Sequence, residues 1–141
     1  MKAVVNLGLT FLLAILIATP SCKKSDSGQK VTLTEVLTGG NLYVHLYNDG
    51  TTDKTSDYTG YLWTFNTNGS LLVSRGALSY NGTWTLTQLS DTRLKIQFVG
   101  TGLDPILLPL QNDWLVTNYS VSLVEMADDS GANKVFHLAT Q

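Results

Sequence analysis

The sequence predicts an all-β domain, an antiparallel sheet of about eight or nine short strands closed into a sandwich or a barrel. Three observations carry this expectation. Apolar and polar residues alternate in several runs: "RLKIQFV" sets Leu94, Ile96 and Phe98 against Arg93, Lys95 and Gln97, and "GTWTLTQL" sets Trp84 and Leu86 against Thr83, Thr85 and Thr87. A period of two marks a strand with one face buried and the other in water. Turn dipeptides divide the runs, Asn68-Gly69 and Asn81-Gly82 above all, because Asn and Gly tolerate the positive φ of tight turns. Finally, Thr, Val, Leu and aromatic residues fill the runs, while Asn, Gly, Asp and Ser lie between them.

The first element lies outside that sheet. Lys2 precedes a largely apolar run from Leu7 to Ala18, and small residues then lead into a cysteine, the layout of a secretory signal. A membrane-spanning helix needs roughly 20 apolar residues, and here Thr19, Pro20 and Ser21 end the run sooner. "ATPSC" resembles the lipobox of bacterial lipoproteins, in which a small residue precedes a cysteine that is lipidated and becomes the first mature residue. Thr19 stands where that pattern prefers Leu, as in lipoproteins of Bacteroidetes-like bacteria. Cys22 is the only cysteine, so an exported chain has no disulfide to make, and lipidation accounts for its place at the cleavage boundary. The resemblance implies diacyl lipidation with an acylated, palmitate-type amino terminus, enough chains for stable anchoring.

The expected organisation is therefore a lipoprotein signal peptide over 1–21, a tether over 22–30 and one domain over 31–141. "KKSDSGQK" after Cys22 is polar and suits a flexible tether. Lys23, rather than Asp, follows the cysteine; by resemblance to lipoprotein sorting rules this implies the outer membrane. The single nearby acid, Asp26, leaves periplasmic or surface display open.

Within the domain, "VTLTEVL" at 31–37 predicts one short helix, with Thr32 and Glu35 spaced as a capping box. Strands are expected at Leu42–Tyr47, Tyr58–Phe65, Leu71–Ser74, Ile106–Leu110, Trp114–Thr117, Ser120–Met126 and Val135–Leu138, besides the two alternating runs above. "GTGLDP" and "DDSGAN" are loops. In Leu42–Tyr47 the core face is expected to be Leu42, Val44 and Leu46, which leaves Tyr43, His45 and Tyr47 together on the opposite face.

The order of these motifs resembles the lipocalin-like lipoprotein domains common in Bacteroidetes, over residues 38–139. Asp53 and Thr55 match a D-x-T loop, and Tyr61, Trp63 and Phe65 match an aromatic strand running into a turn at Gly69. Gly82 and Trp84 match G-x-W, and Asp113, Trp114 and Val116 match D-W-x-V. The resemblance implies a small lipocalin-like β-barrel, with Tyr61, Trp63 and Phe65 facing inward against Trp84, Phe98 and Trp114. Leu42 stands where the family has an early Trp, and the chain is short for a true lipocalin, both of which argue against a large central cavity. A shared fold gives no function by itself.

Chemistry is sparse. His45 and His137 are the only histidines, each on an alternating strand with no Asp or Glu close by in sequence, so sheet-surface positions are expected and no metal or cofactor. Asp49, Asp53 and Asp57 recur four residues apart; calcium loops space their acids every second residue, and capping of the loop's own backbone is the expected role. No nucleophile–base pair stands out, so an enzyme is not expected. With a net charge of −2 and no basic stripe, nucleic acid is excluded as a partner. The expected function is a non-enzymatic, lipid-anchored outer-membrane module that binds a small apolar ligand, a glycan or an envelope protein. The residues expected to contact a ligand are Tyr43, His45 and Tyr47 on the outer face and Tyr61, Trp63, Trp84 and Trp114 around any cavity. The alternative is a structural subunit of an envelope complex with no small-molecule ligand.

Overall fold

The computed structural model describes residues 30–141. The expected signal peptide, Cys22 and the tether up to Gln29 lie outside the described residues. The eight strands run in chain order around a closed antiparallel barrel: β1 (Leu42–Asn48), β2 (Leu62–Phe65), β3 (Ser70–Arg75), β4 (Leu78–Gln88), β5 (Thr92–Val99), β6 (Asp113–Tyr119), β7 (Leu123–Ala127) and β8 (Val135–Thr140). β8 pairs back onto β1 from Leu42↔Thr140 to Asn48↔Val135, so the sheet has no free outer strand. The all-β expectation holds, at the lower of the two strand counts. Among the described residues no helix is long and apolar enough to cross a membrane.

The meander fixes two rims. The near rim carries α1 (Leu33–Thr38), the β2–β3, β4–β5 and β6–β7 turns, and Gln141, whose N–H donates to the Asn41 carbonyl (3.0 Å). The far rim carries the other four connections, among them two 3₁₀ segments, Thr55–Tyr58 and Pro105–Leu110. The capping box forms as its spacing predicts: the Glu35 N–H donates to Thr32 Oγ1 (3.3 Å) and the Thr32 N–H donates to Glu35 Oε2 (2.7 Å). Leu33, Val36 and Leu37 turn inward and plug the near mouth.

The interior is a mesh of aromatic rings. Trp63 lies 5.8 Å from Phe98 and 5.8 Å from Phe136, Phe65 lies 5.7 Å from Trp84, and Trp114 lies 5.2 Å from Phe136, all between ring centroids. Tyr61, Trp63 and Phe65 are buried as expected, with Trp114 joined to them through Phe136. An eight-stranded barrel is just wide enough for side chains to fill it, and here large rings do so.

Four sequence expectations are corrected. Ile106–Leu110 is a 3₁₀ segment and not a strand: Pro105 and Pro109 have no N–H for a ladder, and Asp104 Oδ1 accepts from the Ile106 N–H (3.1 Å) to start the turn. Its buried residues, Leu107 and Leu110, are three apart, the 3₁₀ period. Asn81-Gly82 lies inside β4; the β3–β4 turn is at Gly76 (φ 58°). Gly82 is small for a packing reason, since a Cβ there would lie 2.6 Å from the Gln97 carbonyl oxygen. The strand expected from Tyr58 begins only at Leu62, after the first 3₁₀ segment and Gly60 (φ 85°). That expected from Ser120 begins at Leu123, because the Ser120 N–H closes a turn on the Leu123 carbonyl (2.8 Å).

Candidate functional site

The barrel wall is thinnest between β1 and β2, which pair only at Leu42↔Trp63. β2 is four residues long, and the chain reaches it through the first 3₁₀ segment instead of a full hairpin. The two strands part toward the far rim and leave a groove of about 420 Å³ with Tyr43, Val44, His45, Tyr58, Gly60 and Tyr61 in its lining.

A bulge in β1 decides which aromatics reach this groove. The register against β8 shifts between Val44 and Leu46, so His45 is an extra residue in the strand. Before the bulge, Tyr43 and His45 point outward, with ring centroids 6.3 Å apart in an edge-to-face contact. After it, the parity reverses. Tyr47 was expected on the outer face with them; it is instead 2% exposed, packed edge-on against Tyr58 (5.3 Å) and Phe136 (6.3 Å). Leu46, expected in the core, is half-exposed. The Tyr43–His45–Tyr47 face therefore reduces to Tyr43 and His45.

The far edge of the groove is held by a polar stitch. Tyr61 Oη donates to Asp104 Oδ2 (2.5 Å) and accepts from Arg75 Nη1 (3.4 Å), and the Arg75 guanidinium lies 5.0 Å from the Tyr61 ring centre. Tyr58 Oη donates to the Ile106 carbonyl (2.9 Å), which ties the two 3₁₀ segments across the far mouth. Burial, then the hydrogen bond to Asp104, raises the Tyr61 phenol above its usual range, and the same bond holds the Asp104 carboxyl below its own. Burial also pushes the Tyr58 phenol well up, so both hydroxyls remain neutral donors.

The other candidates separate from the groove. Trp63 and Trp114 are completely buried and Trp84 nearly so. Trp114 Nε1 donates to the Leu110 carbonyl (3.0 Å) and Trp84 Nε1 to the Asn66 carbonyl (2.9 Å). Their rings pack on other side chains, and of the aromatics expected to contact a ligand only Tyr43, His45 and Tyr61 border the groove, joined there by Tyr58. His45 lies on the outer wall as expected, and half-buried His137 is near it, opposite Leu46 on one side and Glu125 on the other. Among the described residues no three His, Cys, Asp or Glu side chains group to hold a metal. Two of the three loop acids cap backbone as expected: Asp49 Oδ1 accepts from the Thr51 and Thr52 N–H groups (3.1 and 3.0 Å), and Asp53 Oδ1 from the Thr55 N–H (2.8 Å). Asp57 caps the loop only through its own N–H, which donates to the Lys54 carbonyl (3.0 Å). The backbone bonds hold the Asp49 carboxyl below its usual range, and the Thr55 hydroxyl, then the Thr55 N–H, do the same for Asp53.

Sequence reasoning missed Tyr58, Arg75 and Asp104 as site residues. Asp104 followed by Pro105 is a helix-start signal that the loop reading of "GTGLDP" passes over, and nothing local ties it to Tyr61, 43 positions away.

Fold and groove together define a small closed antiparallel barrel with a packed interior and its accessible features on the wall and rims. No family model matches the sequence, and no curated protein matches it. Among solved structures, the fold is similar to that of a DUF4847 family protein from Bacteroides vulgatus ATCC 8482, with a TM-score of 0.58 and 15% identity, covering 78% of this chain and 98% of that one. At that identity the likeness speaks to the fold alone.

Proposed function

We propose that this protein is a non-enzymatic, lipid-anchored binding module of the bacterial outer membrane, held through Cys22, that takes a glycan segment in the groove between β1 and β2. The observation that carries this reading is Tyr43: a large aromatic, 38% exposed, on the outer wall beside His45 and bordering a groove that also offers hydroxyls from Thr55 and Ser56. A flat ring beside hydrogen-bonding groups suits a sugar, whose apolar face stacks while its hydroxyls are satisfied laterally. The packed interior supports a wall site over an apolar ligand inside the barrel. In a polysaccharide binding panel, replacing Tyr43 and His45 with Ala should abolish retention while the thermal midpoint stays within a few degrees. Retention that survives the double replacement would sink the wall site.

A second reading, a structural subunit docked on an envelope protein, is favoured by a separate feature. Leu78, Val99 and Leu108 belong to the far rim and are 58%, 56% and 50% exposed. Exposed aliphatic residues that share a rim are a common mark of a protein contact. Crosslinking in cells from a photoreactive residue at position 99 separates the readings: a single specific protein adduct would favour the subunit role, and none would favour the glycan binder.

A further inference from the structure

The near rim carries two exposed aliphatic tips that the barrel does not use. Leu89, in the β4–β5 turn, is 87% exposed, and Val121, in the β6–β7 turn, is 68% exposed. Both turns leave the sheet at the end plugged by α1, as the alternation of the meander requires. Val121 borders two shallow grooves, one shared with Lys30 and Val31 and the other with Val36 of α1 and Gln141. Thr92, which follows the Leu89 turn and opposes Gln88, lines the first of these with Lys30. The two tips therefore flank the point at which the chain enters the barrel.

That entry point bears on what lies opposite. Cys22 precedes Lys30 by eight positions, so even a fully extended chain holds the near rim within roughly 28 Å of a lipidated cysteine. We infer that the near rim rests on the bilayer, with Leu89 and Val121 inserted at the level of the lipid headgroups and upper acyl chains. This rests on the proposed lipidation of Cys22 and adds an orientation to it. The anchor makes contact between rim and lipid intramolecular, so two aliphatic tips suffice where they would fail as a free protein. The uncharged polar neighbours suit the headgroup layer, Ser90 beside one tip and Ser120 and Ser122 beside the other, and Lys30 between them offsets the single carboxylate of Asp91. Lys23 and Lys24, next to the anchor in sequence, add attraction for anionic lipid. In this orientation the far rim, with its exposed Leu78, Val99 and Leu108, points away from the membrane.

The test uses the chain expressed with its own leader, extracted from membranes and reconstituted into phosphatidylethanolamine–phosphatidylglycerol vesicles that contain nitroxide-labelled lipid. Single variants Leu89→Cys, Val121→Cys and, as the distal control, Leu78→Cys carry an environment-sensitive fluorophore. Vesicle flotation before and after proteolysis within the tether reports the anchor separately. The expected result is flotation that proteolysis abolishes, with quenching several-fold stronger at positions 89 and 121 than at 78. Flotation with equal or no quenching at the three positions would overturn the orientation and leave the anchor standing. Failure to float would overturn the anchor and the orientation with it.

Discussion

Tyr47 shows most plainly how one side chain records the design of this barrel. Its ring is buried among Tyr58 and Phe136, yet its hydroxyl has no hydrogen-bond partner among the described residues. A buried hydroxyl without a partner has lost its water and gained nothing in return. Tyr47→Phe should therefore leave the fold intact and raise the unfolding free energy by about 1 kcal/mol, read from a urea titration at unchanged slope. His137 offers a pH test. Burial first, and then the neighbouring His45, hold its pKa below the ordinary 6.5, with Glu125 opposing them. The unfolded chain thus takes up the proton more readily than the folded one, so stability is full above pH 6.5 and falls as the pH drops below it. His137→Gln should flatten the stability curve between roughly pH 7 and 5. The depressed carboxyls of Glu35, Asp49, Asp53, Asp104 and Asp128 act lower: unprotonated when folded, they lose their contribution as the pH falls below about 4. A variant that still loses stability between pH 7 and 5 would show that another group is responsible.

At the scale of elements, the sequence was legible wherever the ladder is regular. β5 alternates without interruption, and its Leu94 and Ile96 are buried as the pattern requires. The N-terminal helix announced itself by Thr32 and Glu35 because a capping box is purely local. The inward face of β1 is not legible in sequence because parity is counted from one end, and a single extra residue at His45 reverses every side chain beyond it. No residue type in "LYVHLYN" demands a bulge; it is imposed by pairing with β8, almost the whole domain away. The same holds for the groove: Tyr43 and His45 were visible on one strand, whereas Tyr61, Arg75 and Asp104 meet only after folding, 14 and 43 positions apart. The role of Gly82 is not legible in sequence because a glycine needed for close packing and one needed for a turn look identical after an Asn. Gly82→Ala therefore tests the packing role: a Cβ 2.6 Å from the Gln97 carbonyl oxygen and 3.3 Å from Phe98 Cδ1 forces the strands apart. The loss should be about 1–3 kcal/mol. A neutral result would show that β4 and β5 separate easily at that point.

For the molecule as a whole, the filled lumen separates this barrel from larger ones that carry cargo. Trp63, Phe65, Trp84, Phe98, Trp114 and Phe136 occupy the space that a ligand would need. Native mass spectrometry of gently purified protein should accordingly show no lipid or apolar metabolite beyond the acyl groups that the proposed lipidation would add at Cys22. A stoichiometric apolar passenger would mean that the core rearranges to admit it. Enlarging the interior should reverse the behaviour: Trp63→Ala removes a fully buried ring and should cost about 3–5 kcal/mol. A small aromatic such as indole should recover part of that loss, measured as a rise in the thermal midpoint.

The pairing of β1 with β8 has a consequence in time. Each of the other seven pairings joins strands adjacent in the chain, so each can form as soon as its hairpin is available. The remaining pairing joins Leu42 to Thr140 and waits for everything between them. Local hairpins form in microseconds, whereas contacts between distant residues are slow because the intervening chain must first be ordered. A chain emerging amino end first therefore exposes the unpartnered side of β1 throughout its own synthesis, until the last strand arrives. A chain lacking residues 135–141 should remain in that open state and self-associate through it, seen as concentration-dependent aggregation that an added synthetic peptide of β8 suppresses.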